Sequence, residues 1–113
     1  MLKDLEQAII LDPTHTSALN NLGFHYLNIE KEYDKAVYYL TEIINLKYDA
    51  NAYYNRAKAF QFLKKYSEAI SDINLIIKNE GEDKQLIQMR GHLHFMNGDI
   101  KSFDRDIEKS EGL

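Results

Sequence analysis

Histidine is the side chain that titrates nearest neutrality and the commonest metal ligand, and this chain has four: His15, His25, His92 and His94. His92 and His94 lie two residues apart, which on a helix is about 200° around the axis, so they cannot share one ion as an i, i+4 pair does. His94 instead recurs with Tyr26 and Phe60 in a packing column, where a core role is expected. Carboxylates are spread over polar faces and turns and form no acid-base pair. There is no Cys to act as nucleophile or thiolate ligand, and isolated glycines at Gly23, Gly81, Gly91, Gly98 and Gly112 make no phosphate loop. These residues imply no enzyme, no catalytic residue, no metal and no cofactor.

One charged spacing does repeat. Arg56 precedes Asp72 by sixteen residues, and Arg90 precedes Asp106 by the same interval. Where the corresponding first position is Leu22, its partner position is Tyr39. An ion pair exchanged for an apolar pair is expected of two positions that touch. The alternative, that the arginines bind an anion, would leave a partly buried guanidinium in need of an outside acceptor.

The elements that position these residues follow from composition and period. With 113 residues, 44% apolar and 28% charged, the chain is one folded domain. One Pro and five Gly favour helices over a turn-dense β fold. A net charge of -4 provides no electrostatic footprint for nucleic acid. No apolar run approaches the ~18 residues of a membrane span and no secretory leader is evident, so an intracellular, cytoplasmic protein without membrane contact is expected.

Four columns share a 34-residue period: Leu19, Tyr53, Ile87; Leu22, Arg56, Arg90; Gly23, Ala57, Gly91; and Tyr26, Phe60, His94. A second block, Tyr33, Ala36, Leu40 and Ile43, recurs at Tyr66, Ala69, Ile73 and Ile76, then at Ile100, Phe103, Ile107 and Ser110. Its steps are 33 and 34, which predicts one extra residue in the turn Glu30 to Glu32 and one fewer in the loop Lys47 to Asp49. Apolar residues at i, i+3, i+4 and i+7 make each unit a helical hairpin. The A helices are predicted at 17–29, 51–63 and 85–97, and the B helices at 33–46, 66–79 and 100–111. Leu5, Ala8 and Ile9 match the B pattern, so residues 1–11 are a lone B helix closed by Asp12-Pro13. The expected organisation is a partial repeat at 1–12 and repeats at 16–49, 50–83 and 84–113, all one domain of 1–113. The lone helix should leave Leu2, Leu5 and Ile9 uncovered, pointing either to a longer array or to pairing of chains as a homodimer through their ends.

The stretches SALNNLGFHYLNIEKEYDKAVYYLTEII, NAYYNRAKAFQFLKKYSEAISDINLII and QLIQMRGHLHFMNGDIKSFDRDIEKS, with AIILDP before them, resemble tetratricopeptide repeats. The third departs where Phe103 replaces a small residue and Ser110 an apolar one. The resemblance implies an all-α, right-handed solenoid of about seven helices whose A helices line a concave groove for a protein or peptide segment. Matching registers places Ser17, Asn20, Asn21, Phe24, Leu27 and Asn28 there from the first unit. The second contributes Asn51, Tyr54, Asn55, Lys58, Gln61 and Phe62, and the third Gln85, Gln88, Met89, His92, Phe95 and Met96. Amides pair with the main chain of an extended peptide while aromatics take its side chains. Of the positions that some members use to clamp a terminal carboxylate, Asn20, Phe24, Asn55, Gln85 and Met89, only Asn55 has the expected type, so that ligand is not implied. The alternatives to a binding scaffold are a structural piece of a longer array, contacting through its end faces, and an accessory domain of a larger enzyme.

Overall fold

The computed structural model describes residues 2–113, and they form seven α-helices: α1 (Leu2–Leu11), α2 (Thr16–Asn28), α3 (Tyr33–Leu46), α4 (Ala50–Phe62), α5 (Tyr66–Glu80), α6 (Lys84–Met96) and α7 (Ile100–Glu111). No strand occurs among the described residues. α2 with α3, α4 with α5 and α6 with α7 are antiparallel hairpins, and each second helix also packs on the first helix of the following hairpin. Stacking in one direction draws the molecule out to 48 × 25 × 18 Å, with a radius of gyration of 15.2 Å. A compact chain of this length would have about 13 Å. The fold is thus an all-α solenoid.

Each A helix begins and ends one residue before its predicted span, because its N-cap is fixed at 15, 49 or 83. His15 Nδ1, Asp49 Oδ1 and Asp83 Oδ2 accept hydrogen bonds from the backbone N–H of Ala18, Ala52 and Leu86 at 3.2, 3.0 and 3.3 Å. The caps therefore carry the 34-residue period themselves, satisfying one orphan donor per helix. The B helices fall at the predicted spans, with α5 extended by Glu80. The first A-to-B turn, residues 29–32, is one residue longer than 63–65 and 97–99, as expected. The compensating deletion is not in the loop: 47–49 and 81–83 are equally long, and the difference lies in α3 having 14 residues against 15 in α5. Extended backbone at Lys47 stops α3, whereas α5 runs on until Gly81, at φ 92°, ends it.

Two core clusters bind the units. The first gathers Leu19, Leu22, Tyr26, Leu27, Ala36, Leu40 and Ile43 and reaches into the second unit for Ala52 and Ala59. The second joins Ala57 to Ala69, Ile70, Ile73 and Ile76, and takes Leu93 from the third. The 59 and 93 position thus faces the preceding unit, and His25 occupies it in the first. Small residues sit where hairpin helices touch: a Cβ added at Gly23 would lie 2.9 Å from Leu40 Cδ2, and one at Gly91 3.1 Å from Asp106 Cβ. The expectation that Leu2, Leu5 and Ile9 stay uncovered is corrected. They are half-buried against the first cluster, because α1 lays that stripe on α2. Its exposed apolar residues are Ile10 and Leu11, 72% and 76% accessible.

Candidate functional site

The first-unit residues expected in a groove divide by burial. Asn21, Phe24 and Asn28 are exposed and Asn20 is half-buried, while Asn28 Nδ2 donates back to the Phe24 carbonyl oxygen at 3.3 Å. Leu27 is corrected: it is 3% exposed and belongs to the first core cluster, because α2 turns that side chain inward. In α4, Asn51 is exposed, whereas Tyr54, Asn55 and Lys58 are half-buried. Tyr54 packs against the second cluster and carries Lys58 Nζ 5.8 Å above its ring. Phe62 is 56% exposed, its other face stacked on Tyr33 with ring centroids 4.7 Å apart. In α6, Gln85, Gln88, His92 and Phe95 are exposed and Met89 is half-buried against the second cluster. Phe95 meets Phe103 of α7 at 5.1 Å, so the large residue in the third hairpin is absorbed by an aromatic contact.

Asn51, Tyr54 and Gln85 come together around one recess of about 340 Å³ between the second and third units. Ala50, Ile76, Glu80, Asp83 and Leu86 complete its lining. The remaining expected residues do not line this open recess. Across the three helices Phe24, Phe62, Phe95 and Met96 leave 55%, 56%, 49% and 46% of their surfaces open.

The arginines are braces. Arg56 Nε and Nη2 donate to Asp72 Oδ2 and Oδ1 at 2.9 and 2.7 Å, and Arg90 repeats both bonds to Asp106 at the same distances. These hydrogen bonds raise each guanidinium pKa above its ordinary value against the opposing effect of burial. A third donor was missed at the level of sequence. Arg56 Nη1 donates to Thr41 Oγ1 at 3.1 Å and Arg90 Nη1 to Asn74 Oδ1 at 2.9 Å, tying each arginine to the preceding B helix. The available signal was that Thr41 and Asn74 are polar residues in one B-helix column, 33 apart. His94 lies between Asp99 and Asp106, 3.8 and 3.9 Å from each, whereas His92 points elsewhere and is exposed. Among the described residues no cluster of His, Asp and Glu is arranged to hold a metal ion, and no helix is long and apolar enough to cross a membrane.

No protein-family model matches the sequence, and no curated protein matches it. Solved structures do match. The fold is similar to that of MamA. A MamA structure of AMB-1 superposes with a TM-score of 0.89 at 18% identity, covering 99% of this chain and 61% of that one. MamA from Desulfovibrio magneticus RS-1 gives 0.87 at 22% identity, covering 99% and 63%. A further MamA crystal structure gives 0.87 at 20%, covering 96% and 64%. The chain therefore spans less than two thirds of the length of these MamA chains, and at such identities the likeness is one of fold.

Proposed function

We propose that this chain is a non-enzymatic protein-interaction scaffold of tetratricopeptide type, with a leading half-repeat at 1–12 and repeats at 16–49, 50–83 and 84–113, which receives a short protein segment along α2, α4 and α6. The observation that carries the reading is that every A helix keeps a large apolar side chain about half open: Phe24 on α2, Phe62 on α4, and Phe95 and Met96 on α6. Neighbouring packed helices lie about 8–10 Å apart. Three of them span roughly 20 Å, room for about six extended residues at ~3.3 Å each. Such a segment brings apolar anchors to the aromatics and its main chain to Asn21, Asn51, Asn55 and Gln88. Lys58 is the one formal charge among the expected groove residues, with Glu80 and Asp83 beside them in the recess, so affinity for an apolar segment depends weakly on salt. Peptide-array binding with Tyr54→Ala, Asn55→Ala and Phe62→Ala checks the reading against Lys35→Ala on α3. Loss confined to Lys35→Ala, or a steep salt dependence, moves the binding surface off the A helices.

A second reading is supported by α1. Ile10 and Leu11 are open, and Ile9, Ile10, Tyr38 and Tyr39 border a recess of about 300 Å³. In this reading the α1 end contacts another helical unit, as in a longer array or a homodimer. Sedimentation velocity of wild type against Ile10→Glu tests it, with a concentration-dependent mass abolished by the substitution as the expected outcome.

A further inference from the structure

We propose that the outward faces of α5 and α7, away from the A-helix surface, form a docking strip for an acidic protein segment. Two adjoining shallow recesses, of about 340 and 290 Å³, share Asn74 as a common wall. Ser67, Ser71, Asn74 and Lys78 of α5 border the first, at i, i+4, i+7 and i+11, one side of a helix. Arg90, Arg105 and Lys109 border the second, beside His94 and Ser102. Four of the chain's 14 Lys and Arg residues thus meet here, in a protein whose net charge is -4. The one carboxylate in either lining is Asp106, and Arg90 holds both of its oxygens.

The charge remaining after internal pairing decides what the strip attracts. Arg90 is neutralised by Asp106, and Lys109 is paired with Glu82. Among the described residues neither Lys78 nor Arg105 has a carboxylate within ion-pair distance and both are exposed, with Asp99 the acidic group near enough to Arg105 to feel its charge. Arg90 takes the Asn74 oxygen, which leaves the amide N–H2 of Asn74 free to donate at the junction of the recesses. The cationic character is local. In the columns of Arg105 and Lys109 the first unit has Tyr38 and Glu42, and these border the recess beside α1 together with Glu6. From Ser67 to Lys78 the strip is about 16 Å long at ~1.5 Å per helical residue. That suits about five extended residues with carboxylates spaced along them, and it is long for one compact anion.

The test is fluorescence anisotropy of a labelled Glu-rich peptide with the full chain, at low and at physiological salt. Wild type should bind at low salt and weaken as salt is added, since solvent-exposed charges are screened. Lys78→Glu with Arg105→Glu should lose about tenfold or more, and Lys78→Gln with Arg105→Gln a smaller part of it. Lys3→Glu with Lys35→Glu makes the same change in net charge elsewhere and should leave binding within about threefold. Tyr54→Ala should leave it unaltered, which separates this strip from the A-helix surface. Absence of binding at low salt, equal losses in the two charge-reversed pairs, or binding retained after reversal at Lys78 and Arg105 overturns the proposal. Saturation by inorganic phosphate without binding of the peptide also overturns it and makes the strip a phosphate site.

Discussion

Arg56 and Asp72 meet fork to fork across one hairpin, sixteen residues apart in sequence, and Arg90 and Asp106 repeat the arrangement one unit on. Asp72 is buried while Arg56 is only partly so, which means that without Arg56 the Asp72 charge has no solvent to fall back on. Removing one partner of such a pair typically costs about 3–5 kcal/mol, because the other is left buried and uncompensated. Arg56→Leu should therefore lower stability by that order. Arg56→Leu with Asp72→Tyr copies Leu22 and Tyr39 of the first unit and should recover a large part of the loss. Thermal or urea melts of the four proteins in this cycle check it, and strictly additive effects would falsify the coupling.

Lys31, Lys64 and Gly98 occupy the same place in the three A-to-B turns, two residues before the B helix, with φ of 55°, 60° and 84°. Left-handed backbone costs a residue with a Cβ about 1–2 kcal/mol, and glycine does not carry that cost. Lys64→Gly should therefore stabilise by roughly 0.5–1 kcal/mol after the added freedom of the unfolded chain is counted. Gly98→Lys should destabilise, although nothing lies within 4 Å of a Cβ built there. Melting temperatures moving in opposite directions for the two variants establish backbone strain as the cause. A fall for Lys64→Gly would mean that the lysine side chain contributes a contact.

The hairpins, their order and the Arg–Asp pairs were legible because each rests on a repeated column, and repetition supplies an internal control on register. Leu27 was misread because three helices share a period without sharing every face: Gln61 and Phe95 at its column are open to different degrees, and α2 buries the aliphatic member in its own core. The cover on Leu2, Leu5 and Ile9 was missed for a related reason. The period shows that α1 has no preceding A helix, but not that α2, which follows, packs on that stripe. The α5–α7 strip was illegible because its cations come from three helices and are separated from their neighbours' carboxylates only by the way the side chains pair.

Asp99 caps α7, accepting from Ser102 N–H at 3.1 Å and from Ser102 Oγ–H at 2.6 Å. These hydrogen bonds, the side-chain one foremost, hold its carboxyl below the usual carboxylate range. A folded pKa below the unfolded one means that the unfolded chain takes up the proton more readily. The cap's contribution is thus present above the unfolded value near 4 and is lost as pH falls through the lower folded value. Asp99→Asn keeps a capping oxygen that does not titrate, so the melting temperature should fall less steeply below about pH 4 than in wild type. Parallel curves from pH 5 to pH 2 would remove Asp99 from the acid response.

His25 sits at the position that Ala59 and Leu93 fill in the later units, both fully buried against the unit before them. Neither of its ring nitrogens makes a hydrogen bond, although both are shielded from solvent. Nε2 lies 3.2 Å from Glu30 Oε1, within ion-pair distance but without hydrogen-bond geometry, so the contact does not satisfy it. A buried donor or acceptor left unmade costs about 1–3 kcal/mol. His25→Leu installs the third unit's residue and should stabilise the fold by on the order of 1 kcal/mol. His25→Ala installs the second unit's residue and should gain less, because the space left by the ring is partly empty. Melts of the two variants at neutral pH give the answer: a ranking of Leu above Ala above His supports a position built for apolar packing, whereas wild type at the top would show that the imidazole has a partner there.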